Sequence, residues 1–250
     1  MRTRLDRQAQ AALLFLLGAT VLHAGWTDLH LRYVKSGLRP LLLLSGAVLI
    51  ATAGATVWYD RGRARGTRGH DEGGTEPARD GGHHEPRIAW LLALPVFALI
   101  LVAPPALGSY SASHTGTALQ KPLGFPELPA DGPLRLGVGE YAARAVYDKG
   151  RHLRDRPLTL TGFLTVDGTG RPYLVRMTLN CCAADAQPLK VALTGNLPPV
   201  LQPDTWLEVS GTYTPRRTKD PVNAGPVPYF DVTSTKPVRA PSDPYETWNG

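Results

Sequence analysis

Three apolar runs with no charge at their centres occupy the first 107 residues of this 250-residue chain, and nothing like them recurs afterwards. They are Gln8 to Ala24, Leu41 to Tyr59 and Ile88 to Leu107. Each is close to the roughly 17–25 residues that a helix needs to cross a hydrocarbon core. The pattern predicts an N-terminal α-helical transmembrane region of three helices, at about 8–27, 40–59 and 88–107. The first run starts after Arg2, Arg4 and Arg7, as both a cleaved secretory signal and a retained anchor do. Leu22 stands where cleavage after Ala24 would prefer a small residue, which favours the retained helix. Pro95 can kink the third helix and Pro104-Pro105 ends it. No ionisable group lies mid-membrane, so the helices carry no ion or proton relay of their own.

Arginine sets the orientation. The N-terminal tail carries three, and the segment between the second and third helices carries six: Arg61, Arg63, Arg65, Arg68, Arg79 and Arg87. After the third helix the first Lys or Arg is Lys121. Positive charge is enriched in short cytoplasmic segments. The N-terminus and the 60–87 loop are therefore expected in the cytoplasm, with the C-terminal part outside, in a multi-pass protein of the cell membrane. Arg32, Lys35 and Arg39 oppose that rule from the first external loop. In the 60–87 loop six acidic residues balance six arginines, so it reads as a disordered mixed-charge tether. Its histidines, His70, His83 and His84, are weak candidates for metal binding through neutral imidazole, set against a plain solvated linker.

Beyond Pro105 the composition changes. Residues 108–133 read as a Ser/Thr/Gly/Pro-rich extended linker, and 134–250 as a folded extracytoplasmic domain. Val138, Tyr141, Ala142, Ala145 and Val146 recur at helical spacing, which predicts a short leading helix over 137–149. The period then becomes two. Strands are expected at 158–166, 173–179, 189–193, 206–214 and 229–238, separated by Gly-, Pro- and Asp-rich turns. Five short strands in this length favour an all-β, OB-like five-stranded barrel, with a β-sandwich as the alternative. OB-like barrels often bind single strands. After Pro105, however, fifteen Lys and Arg face thirteen Asp and Glu, which argues against nucleic acid as a partner.

The two cysteines of the chain, Cys181 and Cys182, are adjacent and lie just before Asp185. Thiolates select zinc, copper(I) and metalloids. Neighbouring side chains of a strand point to opposite faces, so both thiols reach one ion only if the chain bends there. Ala183-Ala184-Asp185-Ala186 is suited to such a bend. Cys181, Cys182 and Asp185 are the candidate ligands for zinc or another soft metal, with Arg176 able to pair with Asp185 or lower a thiol pKa. His114 and His152 are distant candidates for a fourth position. Three donors are too few for a closed structural zinc site. A vicinal disulfide, thiol-disulfide redox chemistry, and a purely structural turn held by an Arg176–Asp185 ion pair remain alternatives. No Ser-His-Asp order, His-Glu-x-x-His, phosphate loop or dinucleotide glycine motif occurs in a suitable setting, and the chain is read as non-enzymatic.

The stretch Arg-x4-Cys-Cys-Ala-Ala-Asp-Ala-x-Pro, here Arg176 to Pro188, is flanked by Gly162-Phe163 and by Trp206-Leu207-Glu208-Val209-Ser210-Gly211-Thr212. Together with the N-terminal helices, the His-containing loop and the Pro-Pro exit, it resembles the YcgQ-like family of permease-accessory membrane proteins. The resemblance extends over essentially the whole chain. It implies a multi-spanning permease as partner, with metal or metalloid species as the transported class.

Overall fold

A computed structural model describes residues 2–66 and 106–247. The third apolar run and His70, His83 and His84 lie outside those residues. The chain divides into two compact units. One holds the N-terminal helices, and the other joins Asp28–Gly37 to everything from Ala106 onward.

In the first unit, α1 (Arg2–Trp26) and α2 (Arg39–Gly66) form an antiparallel hairpin. The direction follows from the contacts, since Gly18 meets Gly46 and Ile50 while Gly25 meets Leu42 and Leu43. Small residues make the close approach possible. A Cβ on Gly18 would lie 2.9 Å from the Gly46 carbonyl oxygen, and one on Gly46 would lie 3.1 Å from that of Gly18. Ala11 and Ala53 are buried seven residues away from these glycines on their own helices. Small residues at such a seam let two helix backbones approach closely. Hydroxyls do not disturb the apolar surface: Thr20, Ser45, Thr52 and Thr56 each donate back to a carbonyl of the preceding turn, at 2.8 Å. Among the described residues one apolar helical span, Ser36–Tyr59, is long enough to cross a membrane, and Gln10–Trp26 is shorter. α2 runs on through Gly66, into the segment read from sequence as loop.

The second unit is built on a closed five-stranded barrel of β2 (Leu158–Val166), β3 (Pro172–Thr178), β4 (Gln187–Gly195), β5 (Trp206–Lys219) and β6 (Pro226–Pro237). Around the barrel the order is β2-β5-β6-β4-β3, and β3 pairs back onto β2. All barrel pairings are antiparallel except β4 with β6. The β5–β6 register shifts twice, between Tyr213 and Arg217 and at Gly211, where a Cβ would lie 2.0 Å from the Asp231 carbonyl oxygen. Bulges at bare glycines are how a sheet turns a barrel corner. Two short strands extend the sheet in parallel: β1 (Leu134–Leu136) on β2 and β7 (Tyr245–Glu246) on β3.

The leading helix, α4 (Val138–Tyr147), buries the face expected from its spacing against Leu158, Leu160, Leu189, Val191 and Phe230. Its first turn is closed by Glu246, whose carboxylate accepts from the amides of Val138 and Gly139 at 2.9 Å each. Negative charge at a helix N-terminus satisfies orphan donors and the macrodipole together.

Residues 108–133, read from composition as an extended linker, carry one short helix and are otherwise without regular secondary structure, but they are tied down by polar groups. Ser109–His114 forms a short helix, α3, whose Ser109 binds the Asp204 carboxylate through its amide at 2.6 Å and its hydroxyl at 2.7 Å. Further along, Thr117 N donates to Asp220 and Ala118 N to the Pro188 carbonyl. The anchor is the Lys190–Asp220 ion pair, 2.8 Å long and almost wholly buried, with Lys190 also donating to the Thr115 carbonyl at 2.8 Å. Few periodic apolar positions mark this segment because polar groups hold it. Removing one partner of such a pair typically costs about 3–5 kcal/mol.

Candidate metal centre

The β3–β4 connection carries the thiols. Strand β3 ends at Thr178, opposite Gln187, and the chain bends at Asn180 and Cys181 before Ala183–Asp185 makes one turn of 3-10 helix. Cys182 is extended, with φ −152° and ψ 171°. The bend required by the sequence argument is therefore present. Sulfur atoms of Cys181 and Cys182 and a carboxylate oxygen of Asp185 all lie within 4.8 Å of one another, and they are the cluster of three metal-ligating side chains among the described residues. Neither cysteine is in a disulfide; Cys181 is exposed and Cys182 half-buried.

Asp185 organises the turn. Its carboxylate accepts from the amides of Asn180 at 3.0 Å and Cys181 at 2.8 Å, and its own amide donates to the Cys182 carbonyl at 3.0 Å. Consecutive backbone amides folded around an anion form a nest. The Cys181 thiol also hydrogen-bonds to this carboxylate. That bond, against the opposing effect of burial and with the help of the backbone amides, holds the Asp185 carboxyl below the usual range. The same bond, reinforced by Cys182, pushes the Cys181 thiol up to about 11. At neutral pH the pair is thus a protonated thiol beside an ionised carboxylate, the arrangement that keeps a cysteine a weak nucleophile.

Arg176 has a different place from the one spacing suggested. It donates to the carbonyls of Asp243 at 3.3 Å and Tyr245 at 2.9 Å, and its guanidinium lies 5.1 Å over the Trp206 ring. The Arg176–Asp185 ion pair does not form, and Arg176 is not among the groups that shift the Cys181 thiol. Alternation along β3 explains this: Arg176 pairs in register with Leu189 and ties β3 to the C-terminal strand. His114 stands at the end of α3 with its ring 4.3 Å from that of Tyr110, and His152 is exposed after α4. Neither belongs to the thiol cluster.

Sequence reasoning missed a second participant. Segment 33–35, in the connection between α1 and α2, pairs with the thiol turn in antiparallel fashion, Val34 opposite Cys182. The Lys35 amide donates to the Cys181 carbonyl at 3.1 Å, and the Ala183 amide donates to the Tyr33 carbonyl at 2.7 Å. Tyr245 fastens the same connection by donating its hydroxyl to the Arg32 carbonyl at 2.9 Å. The one available signal was Tyr33-Val34, two β-formers in a segment too short to read as a strand.

Residues 140–246 match the family model of the DUF1980 C-terminal domain. The match begins in α4 and ends in β7, so it takes in the whole barrel and the Cys181-Cys182-Asp185 turn. It is consistent with the resemblance to YcgQ-like proteins over this part of the chain. Comparison with curated proteins and with solved structures gave no match.

Proposed function

We propose that this chain is a non-enzymatic, membrane-anchored accessory subunit of a multi-spanning permease, and that its barrel presents Cys181, Cys182 and Asp185 to a soft metal or metalloid ion as cargo. The observation that carries the reading is the convergence of two thiols and one carboxylate within 4.8 Å on an exposed turn. Two soft donors and one hard donor fit zinc or a trigonal metalloid, and leave a position open for handing the ion on. The strand order with its single parallel pair, β4 with β6, supports an OB-like barrel. The apolar span Ser36–Tyr59 supports anchoring in the lipid bilayer. A multi-pass arrangement with the N-terminus cytoplasmic and the barrel extracytoplasmic rests on the arginine distribution.

A thiol-disulfide module is the weaker reading, because a Cys181 thiol pushed up to about 11 has little thiolate at neutral pH to attack a disulfide. The test is equilibrium dialysis of the full chain in detergent against zinc chloride or arsenite under non-chelating reductant. One equivalent bound by the wild type and none by Cys181→Ser/Cys182→Ser is the expected result. Equal binding by both proteins overturns the reading.

A further inference from the structure

The thiol turn is held from outside its own hairpin. Peptide groups on both sides of Cys182 are engaged by segment 33–35: the Cys181 carbonyl accepts from Lys35, and the Ala183 amide donates to Tyr33. That segment is braced in turn. The amides of Tyr33 and Val34 both donate to the His30 carbonyl, at 3.0 and 2.8 Å, and Tyr245 holds Arg32. The backbone that aims the Cys182 side chain is therefore set jointly by the barrel and by the connection between α1 and α2.

An ion bound by both thiolates makes a geometric demand. Zinc–sulfur bonds of about 2.3 Å in a tetrahedral arrangement put the two sulfurs about 3.8 Å apart. The three donor atoms, spread over as much as 4.8 Å, must draw together. Cys181 is exposed and can re-aim its side chain. Cys182 cannot shift its backbone without moving the peptide groups that Tyr33 and Lys35 hold.

We propose that ion binding at Cys181, Cys182 and Asp185 is coupled to the pairing of segment 33–35 with the thiol turn, so that an occupied cluster tightens the connection between α1 and α2. The inference rests on the ion-binding reading above and adds its regulation. Thiol occupancy thereby sets the conformational freedom of a segment continuous with the membrane helices. Coupling is reciprocal: whatever loosens the pairing weakens the ion by the same factor.

Hydrogen exchange of the full chain in detergent, with zinc chloride alone as the probe and bound zinc measured in the same samples, tests this. Saturating zinc slows exchange of the Lys35 and Ala183 amides about tenfold, within the usual range of coupling free energies. The Val175 amide in β3 is unchanged, and Cys181→Ser/Cys182→Ser shows no slowing. Stoichiometric zinc with unchanged Lys35 and Ala183 exchange overturns the coupling and leaves the ion-binding reading standing. Absence of bound zinc overturns both. The reciprocal arm is Lys35→Pro, which deletes the amide bonded to Cys181 and should weaken zinc about tenfold. If that variant loses barrel protection at Val175, Val34→Gly takes its place with the same expectation, and unaltered zinc affinity in a folded variant overturns the coupling.

Discussion

Two turns at the ends of β3 are built alike and differ in what they offer. In the β2–β3 turn, Asp167 accepts from the amides of Thr169 and Arg171 at 2.9 Å each, from the Thr169 hydroxyl at 2.6 Å and from the Tyr173 hydroxyl at 3.0 Å. In the β3–β4 turn, Asp185 accepts from two amides and from the Cys181 thiol. Both carboxyls lie below their usual range, although burial alone would raise them, because hydrogen bonds favour the ionised form. At Asp167 every partner is a hard donor that keeps its proton, so the turn is structural. At Asp185 one partner is a thiol whose proton a soft ion can displace. The lesson is that a carboxylate-centred turn becomes a candidate site through the softness of one neighbour, with little change of backbone design.

The largest expected contrast is in ion binding. Cys181→Ser/Cys182→Ser should lose zinc affinity by more than about 100-fold, because hydroxyls are poor ligands for a borderline-soft ion. Asp167→Ala should leave it unchanged in the same dialysis, and an equal loss there would erase the distinction between the turns.

Next comes pH. Binding must remove the Cys181 proton, so the apparent zinc affinity should rise about tenfold per pH unit for each thiol proton displaced between pH 6 and 8. A flat profile in a competition titration would show that the thiol is not a ligand.

Alkylation sharpens the electrostatic half of the comparison. With Asp185→Asn the charge that favours the Cys181 proton is gone, and the thiol should fall from about 11 toward its ordinary 9.0. Its iodoacetamide rate at pH 8 should then rise at least about tenfold, allowing for the lower nucleophilicity of a less basic thiolate. Mass spectrometry of the Cys181 peptide reads this directly.

The smallest effect is on stability. Asp167→Ala should cost about 1 kcal/mol, the lower part of the range for bonds to a charged acceptor because the turn faces solvent. Thermal unfolding followed by circular dichroism would detect it. The sign with pH follows from the lowered carboxyl: the contribution is present above the ordinary carboxylate value of 3.8 and is lost as pH falls through the lower folded value. For Cys181, raised above 9.0, the contribution is present below that value and is lost as pH rises through about 11.

Much of the barrel was legible. Strict alternation from Leu158 to Val166 placed β2, and Val138, Tyr141, Ala142, Ala145 and Val146 drew the buried face of α4 correctly. Strands β5 and β6 start or end beyond the expected bounds, because residues 215–219 are mostly exposed and carry no apolar alternation, while Pro226 and Pro228 flank the buried Val227 and read as turn residues. The thiol turn was legible as a possibility, since only a bend could bring adjacent cysteines to one ion. Its supporting residues were not. Arg176 was near Asp185 in sequence, yet the sheet turned it toward Asp243 and Tyr245. Lys190 and Asp220 read as ordinary charges because their burial depends on the 106–133 segment closing over them.

The amino-acid sequence decided everything that depends on a local period or on side-chain identity: apolar helices, a two-residue alternation that makes strands, and two soft donors next to a carboxylate. Tertiary structure decided what depends on distant partners. Closure of β2 on β5, the parallel pairing of β4 with β6 and the seating of Tyr33–Lys35 on Cys181–Ala183 join residues separated by as many as about 150 positions. No window along the chain carries that information, because backbone pairing is blind to side-chain type and is selected by the shape that the whole barrel leaves for it.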